Sequence, residues 1–290
     1  MYQPSSWNFL GLDGFEARFE AARFVVIPVP YDSTASYRPG SRDGPHRILE
    51  ASRNLELFDI ETADEPYRRG VFTMNEVEPV RGNVVETLDA IERLTRDLLQ
   101  QGKIPVLLGG EHTITVGAVN ALPPDVVVVD LDAHADLRES YLGDAFCHAS
   151  TMRRILDQGK TVIEVGVRSM SQEEYDFVQA RRLPVFYREA IRQRSLSHVV
   201  EDLRRRVEGR RVYLSVDIDV LDPSEAPGVS TPEPDGLSFH EVQTIIHGVC
   251  DAASVVAFDV MEVTPLPGSV VTEFLAAKLV YKTLGYIREI

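Results

Sequence analysis

The sequence contains few cysteines, no long apolar segment and less positive than negative charge. Its two cysteines, Cys147 and Cys250, form neither a zinc-type spacing nor the disulfide framework of a small secreted protein. No apolar stretch is long enough to span a bilayer, and residues 1–8 lack the basic and apolar regions of a signal peptide. We therefore expect a cytoplasmic protein with reduced thiols.

The charge balance narrows the classes of partner. The 290 residues include 45 acidic and 30 basic ones, which gives a formal net charge of −15. Such a charge disfavours nucleic acid and anionic membranes as partners, and it attracts small cationic substrates. Many cytoplasmic proteins are acidic, so without other signals the charge would indicate solubility alone.

We predict one α/β domain over residues 1–290. Neither a Gly/Ser/Pro-rich linker nor an internal repeat divides the chain, and short β-branched runs alternate with amphipathic segments. This alternation is typical of a parallel sheet covered by helices on both faces. The predicted strands are 24–29, 104–108, 126–131, 162–167, 184–187, 212–216 and 255–260. The predicted helices are 84–101, 113–122, 150–158, 172–182, 196–207, 238–252 and 272–288, with a further one after the loop 30–45 that ends near residue 56.

Six potential metal ligands follow three of the predicted strands. Alternate residues of an extended backbone point to one side, and the carboxyl ends of parallel strands form one edge of a sheet. Four carboxylates and two imidazoles are too many for one small ion, but they suit two adjacent cations that activate water for hydrolysis. The sequence therefore predicts a binuclear metallohydrolase. The candidate ligands are His112, Asp132, His134, Asp136, Asp217 and Asp219.

The ligand types narrow the choice of metal. Carboxylates alone would suit magnesium or calcium, whereas added imidazoles favour manganese, with cobalt, iron or zinc as rivals. Nearby acids have other expected roles. Asp130 still belongs to an apolar run, so we expect backbone groups or a cation to satisfy it. Glu111 is expected to support its neighbours, and Asp222 to orient a turn by local hydrogen bonds. The remaining histidines are predicted to lie on the surface without function: His46, His198, His240 and His247.

Four segments resemble the signature sequences of the ureohydrolases, the arginase and agmatinase family. They are Gly-Gly-Glu-His at 109–112, Asp-Ala-His-Ala-Asp at 132–136, Ser-Val-Asp-Ile-Asp-Val-Leu-Asp-Pro at 215–223 and Asp-Val-Met-Glu-Val-Thr-Pro at 259–265. The match covers nearly the whole chain in the family's order. It implies a three-layer α/β/α domain with a parallel central sheet, two Mn²⁺ ions, release of urea from a guanidino compound, and a homo-oligomer, either trimer or hexamer.

The resemblance also implies roles for the ligands. His112 and Asp136 would bind one manganese ion, and His134 and Asp219 the other. Asp132 and Asp217 would bridge both. A water shared by two cations becomes a nucleophile near neutral pH, because its pKa falls far below the bulk value of about 15.7.

Two further residues match catalytic positions of the family. An amine leaves poorly unless it is protonated, and His148 matches the family's histidine for that task. Glu262 matches the carboxylate that binds the substrate guanidinium through paired hydrogen bonds. Without the motifs, His148 would be a structural loop histidine, and Glu262 a structural acid paired with lysine or arginine.

The loops indicate agmatine as substrate. Residues 137–145 lack the Asn- and Ser-containing pattern with which arginases recognise α-amino and α-carboxylate groups. Residues 36–45 and 148–154 resemble the agmatinase branch, which implies cleavage of agmatine to putrescine and urea. The segment 148–150 reads His-Ala-Ser instead of the commoner His-Gly-Thr, so aminopropylagmatine, guanidinobutyrate and arginine stay open.

Two rivals from other classes remain. One is a catalytically silent relative that senses polyamine precursors or serves as a regulatory subunit; the retained ligands, His148 and Glu262 argue against it. The other is the single-zinc deacetylase branch of the same fold. Two imidazole-bearing segments and a second acidic pair favour the binuclear form.

Overall fold

The computed structural model describes residues 2–288. Its sheet is built from parallel strands: β1 (Phe24–Val29), β2 (Val71–Thr73), β3 (Ile104–Gly109), β4 (Val127–Leu131), β5 (Thr161–Val165), β6 (Val185–Phe186), β7 (Arg211–Val216) and β8 (Ser254–Val260). The spatial order is β2-β1-β3-β8-β7-β4-β5-β6. The last strand in sequence therefore lies in the middle of the sheet.

Helices cover both faces of this sheet. They are α1 (Gly44–Ser52), α2 (Val84–Gln100), α3 (Thr115–Asn120), α4 (Thr151–Asp157), α5 (Gln172–Arg181), α6 (Arg188–Arg194), α7 (Leu196–Val207), α8 (Phe239–Ala252) and α9 (Val271–Tyr286). In β1, Phe24 and Val26 belong to the hydrophobic cluster that contains α1 and α6 to α9, whereas Val25 and Ile27 belong to the cluster with α2 to α5. This alternation confirms the predicted three-layer α/β/α architecture.

Complete capping boxes fix the start of two helices in the described chain. Ser238 accepts a hydrogen bond from the backbone N–H of Glu241, whose side chain accepts one from the Ser238 backbone, so α8 begins with a complete capping box. Ser171 and Glu174 form the same arrangement at the start of α5. In the part of the chain described, no helix is long and apolar enough to cross a membrane.

The predicted strands are all present, but two short elements were missed. β2 has three residues at the edge of the sheet, and α6 has seven residues of which Ile191 alone is buried, so neither shows a periodic apolar pattern. The first predicted helix ends at Ser52 instead of near residue 56. Leu55 continued the apolar pattern, but it packs on the core from a turn beyond the helix.

Candidate metal centre

The predicted ligands meet at one edge of the sheet. They follow β3, β4 and β7, and Glu262 follows β8. These four strands are consecutive neighbours in the order β3-β8-β7-β4. Segments far apart in sequence therefore converge beyond the carboxyl ends of four adjacent strands, where open α/β sheets bind ligands.

His112 is the centre of the first group of ligand atoms. Its Nδ1 lies 3.2 Å from Asp132 Oδ2 and 3.2 Å from Asp136 Oδ2. Asp217 Oδ2 is 3.6 Å from the same nitrogen. One ligand atom each from His112, Asp132 and Asp136 falls within 4.8 Å of the others, and all three side chains are buried.

His134 is the centre of a second group. Its Nδ1 lies 3.0 Å from Asp219 Oδ2 and 3.5 Å from Asp132 Oδ1. Asp132 thus directs one carboxylate oxygen toward each imidazole. The structure thereby brings the six predicted ligands into two adjoining groups that share Asp132.

The donor atoms fit cations better than they fit one another. Among the residues described, the buried His112 Nδ1 and Asp132 Oδ2 have no hydrogen-bond partner, although they lie close together. Buried polar atoms are normally paired, so unpaired atoms that converge on one point indicate a missing partner. Imidazole nitrogen and carboxylate oxygen are donors that manganese, iron, cobalt and zinc accept.

The pKa values of two predicted ligands also fit a site for cations. Burial, followed by the charge of Asp132, raises the pKa of Asp136 to about 7. Burial lowers the pKa of His134, but Asp219 and Asp132 outweigh it and raise that pKa to about 12. Without cations the cluster therefore holds protons that bound metal ions would replace.

A hydroxyl and a carboxylate orient His112. Ser215 Oγ donates to Asp259 Oδ1 at 2.8 Å, so it accepts from the Nε2–H of His112 at 2.9 Å. Tyr213 and Thr115 also donate to Asp259. The carboxylate thereby fixes the direction of the Ser215 hydroxyl, which leaves the lone pair of His112 on Nδ1, facing the acidic group.

Two residues at the site adopt a left-handed backbone conformation. Asp136 has φ 50° and Glu262 has φ 64°, which costs a non-glycine residue roughly 1–3 kcal/mol. The Glu262 N–H donates to Gly110 O at 2.8 Å, and Asp136 O accepts from Arg153 N at 3.1 Å. The fold thus compensates for this strain at two positions that direct carboxylates into the site.

His148 and Glu262 line the same small pocket as three of the predicted ligands. The pocket also contains Ser36, Ser230 and Thr231 at its wall. Glu262 is buried, and its Oε1 accepts from the backbone N–H of His112 at 2.7 Å. Burial, with the nearby charge of Glu111, raises the pKa of Glu262 well above its ordinary value. The remaining lining residues are Ala35, His134, Asp136 and Asp217.

The hydrogen bonds of Glu111 and Asp222 fit the supporting roles expected of them, whereas the surroundings of Asp130 do not. Glu111 accepts hydrogen bonds from the backbone of Ser33 and Thr34, and Asp222 accepts from Ser224 and Gly236. Of the two partners expected for Asp130, backbone groups are not found among the residues that the structure describes, and a cation stays a prediction. Within the described chain both of its oxygens lack hydrogen bonds, and Oδ1 lies 3.6 Å from His112 Nε2. Burial raises the pKa of Asp130 well above its ordinary range, although the neighbouring His112 opposes this shift.

Sequence reasoning missed two residues beside the site. Glu164 is buried on β5 directly opposite Asp130 of β4, and burial also raises its pKa strongly. Its signal was an acid in the middle of an apolar run. Arg168 donates to the carbonyls of Asp219 and Glu233 and so joins two loops of the site. Its partners are backbone atoms, so the sequence pattern carried no signal for it.

Comparisons with known proteins show which family this chain belongs to. A model of the arginase family matches residues 22–285. The N(1)-aminopropylagmatine ureohydrolase of Synechocystis sp. is 36% identical over 99% of this chain and 97% of its own length. The agmatinase of Bacillus anthracis is 34% identical over 93% of this chain and 94% of its own. The crystal structure of the agmatine ureohydrolase of Thermoplasma volcanium superposes with a TM-score of 0.88 at 36% identity, covering 98% of this chain and 94% of that one.

The sequence match, the shared fold and the convergent ligand atoms lead to one assignment. The family match extends from before β1 almost to the end of α9, so it includes every segment that contributes to the centre. The chain belongs to the arginase family, and it is an enzyme of the arginase and agmatinase type of ureohydrolase.

Proposed function

We propose that this protein hydrolyses a guanidinoalkylamine, with agmatine as first candidate, to urea and a polyamine at a centre of two Mn²⁺ ions. The observation that carries the proposal is the pocket in which His134, Asp136 and Asp217 lie together with His148 and Glu262. Metal ligands, a proton-transfer group and a carboxylate for a guanidinium thus share one small space. The putrescine or longer amine released would be a polyamine product.

The ligand assignment follows the two groups of atoms. His112 and Asp136 would hold one ion, and His134 and Asp219 would hold the other. Asp132, which directs one oxygen toward each imidazole, would serve both ions, and Asp217, whose Oδ2 lies 3.6 Å from His112 Nδ1, would complete the set. When bound, the two cations lower the pKa of water and so supply a nucleophile near neutral pH.

Glu262 holds the substrate guanidinium. Its Oε1 is fixed by the His112 N–H, and its other oxygen remains for the substrate. A carboxylate and a guanidinium form charge-assisted hydrogen bonds that also orient the planar carbon for attack. The raised pKa of Glu262 describes the protein without cations; a bound guanidinium beside it favours the ionised form.

His148 transfers the proton that the leaving amine requires. Burial lowers the pKa of its imidazole below the ordinary value, so the ring gives up a proton readily. A group with such a pKa can donate to the amine nitrogen as the carbon–nitrogen bond breaks, and it regains a proton from water.

N(1)-aminopropylagmatine is the second candidate substrate. The Synechocystis relative has that substrate in its name, and the Bacillus anthracis relative is an agmatinase. Both compounds combine a guanidinium with a cationic amine, and they differ by one aminopropyl arm. Glu233, whose Oε1 lies 3.8 Å from His134 Nε2, offers a carboxylate to such an amine.

Urea release from four compounds tests the proposal. With manganese-loaded protein, agmatine or aminopropylagmatine should give the highest kcat/KM. Arginine and guanidinobutyrate should react poorly, because their carboxylates would enter an acidic region. Arginine hydrolysis as efficient as that of agmatine would overturn the substrate assignment.

Glu262→Gln tests how the guanidinium is held. The amide oxygen can still accept from the His112 N–H, so metal content should not change. Loss of charge assistance should lower kcat/KM about 10- to 100-fold. An unchanged kcat/KM would show that another group binds the guanidinium.

The homo-oligomer and the cytoplasmic location stay predictions from the sequence.

A further inference from the structure

The two ring nitrogens of His148 face different hydroxyl groups. Nδ1 lies 3.2 Å from Thr34 Oγ1, and Nε2 lies 3.2 Å from Ser36 Oγ. Neutral imidazole carries its proton on only one nitrogen, and the other nitrogen is the one that can accept a proton. The atom that exchanges protons with a substrate therefore depends on which hydroxyl determines the tautomer.

Glu111 determines the direction of the Thr34 hydroxyl. This buried carboxylate accepts the backbone N–H of Ser33 at 2.9 Å and that of Thr34 at 2.7 Å. It also accepts the hydroxyls of Thr34 and Thr113. Four donors thus converge on this carboxylate, and a hydroxyl has only one proton to donate. The single hydroxyl proton of Thr34 is therefore directed to Glu111.

Thr34 Oγ1 can then only accept hydrogen bonds from His148. It accepts the backbone N–H of His148 at 3.2 Å, and the remaining contact, with Nδ1, requires a proton on Nδ1. From the other side the ring of Tyr141 meets the imidazole edge-to-face at 6.0 Å between centroids, and Arg138 stacks on Tyr141. These contacts hold the ring between two loops.

We propose that Thr34, held by Glu111, is a positioning residue that fixes the neutral tautomer of His148 with its proton on Nδ1. Nε2 is then the atom that exchanges protons at the pocket. In the reaction Nε2 of this neutral ring first takes up a proton from solvent, which gives the imidazolium. The Nε2–H bond then breaks as that proton moves to the departing amine nitrogen, and His148 returns to the neutral Nδ1–H tautomer. This role rests on the proposed function, whereas the tautomer itself does not depend on substrate.

Nitrogen NMR of the histidine rings measures the tautomer directly. Full-length protein without added metal is used, so that no paramagnetic ion broadens the signals, and His148→Ala identifies the resonance. We expect the Nδ1–H tautomer in the unaltered protein. An Nε2–H tautomer would overturn the proposal whatever the protein hydrolyses, and an Nδ1–H tautomer without urea release would count against the proposed function alone.

Paired substitutions connect the tautomer to catalysis. Thr34→Val removes the hydroxyl and keeps the branched shape; it should give a mixture of tautomers and lower kcat about 10- to 100-fold, with KM little changed. Thr34→Ser should restore both the tautomer and kcat. Thr113→Val is the matched control, because it removes a hydroxyl from Glu111 without touching His148, and it should leave the Nδ1–H tautomer intact. Unchanged tautomer and kcat in Thr34→Val would refute the proposal.

Discussion

Asp132 is the residue on which both groups of ligands depend. One of its oxygens faces His112, and the other faces His134. Asp132→Ala should therefore release at least one manganese ion and reduce activity strongly, which metal analysis and urea release would measure. His148→Ala is the comparison: it should keep both ions while turnover falls about 10²- to 10⁴-fold. Two ions and full activity in Asp132→Ala would contradict the assignment.

The protonation of Asp136 makes metal binding depend on pH. Its pKa of about 7 lies above that of an unfolded aspartate, because burial and the charge of Asp132 disfavour its ionised form. A metal ion must displace this proton, so manganese should bind more weakly as the pH falls from about 8 to about 6. Titration calorimetry at several pH values would measure this change. Equal affinity across that range would be inconsistent with the predicted ligand.

Asp136 also makes the stability of the metal-free protein depend on pH, in the direction opposite to metal binding. A carboxyl with a raised pKa in the folded state contributes stability below its unfolded pKa, near 3.8, and loses it as the pH rises through about 7. Asp136 alone should thus destabilise the metal-free protein over this interval. Denaturant unfolding with and without manganese would separate the two effects.

Single residues were predictable where local spacing identifies them. The alternation of Asp132, His134 and Asp136 is visible in the sequence and predicted that they meet. They do meet, but the reason was only partly right, because the strand ends at Leu131 and Asp136 adopts a left-handed and not an extended conformation. The role of Thr34 was not predictable, and Glu164 was visible only as an acid within an apolar run. Their partners lie on other strands and loops, so their surroundings depend on tertiary contacts that no local pattern contains.

At the scale of elements, the strands with long apolar runs were predicted, whereas the short edge strand β2 was not. β1 and β3 are buried over six residues each, so their sequences are continuously apolar. β2 pairs through three residues with β1 alone, and its identity depends on that neighbour. The order of the strands was not predictable either, because the sequence of a crossover connection does not determine which strands become neighbours.

The capping box of α8 allows a test of an element away from the centre. Ser238→Ala removes the side chain that accepts from the Glu241 N–H, so the free energy of unfolding should fall by about 1 kcal/mol. Denaturant titration measures the loss, and Ser171→Ala on α5 is the matched variant. Because the cap does not touch the site, metal content and kcat should stay unchanged; a loss of bound metal would argue against this separation.

At the scale of the whole molecule, we propose that residues 1–290 form one domain. The ligands follow three strands of one sheet, and the strands on both sides of the centre belong to it. Manganese should therefore raise the unfolding temperature of the whole chain in calorimetry, because it binds the folded state only. A second transition that does not move with manganese would indicate a separate domain.

The position of β8 has a consequence for how the protein is made. The ribosome delivers β8 last, yet it separates β3 from β7 in the finished sheet. Until it is inserted, the strand edges on either side have no partner there, and His112 stands on the opposite side of the gap from Asp132 and Asp136. The first ligand group is thus completed only by nearly full-length chains. We therefore expect metal ions to bind only after β8 has been synthesised and inserted, so that they act on nearly finished chains.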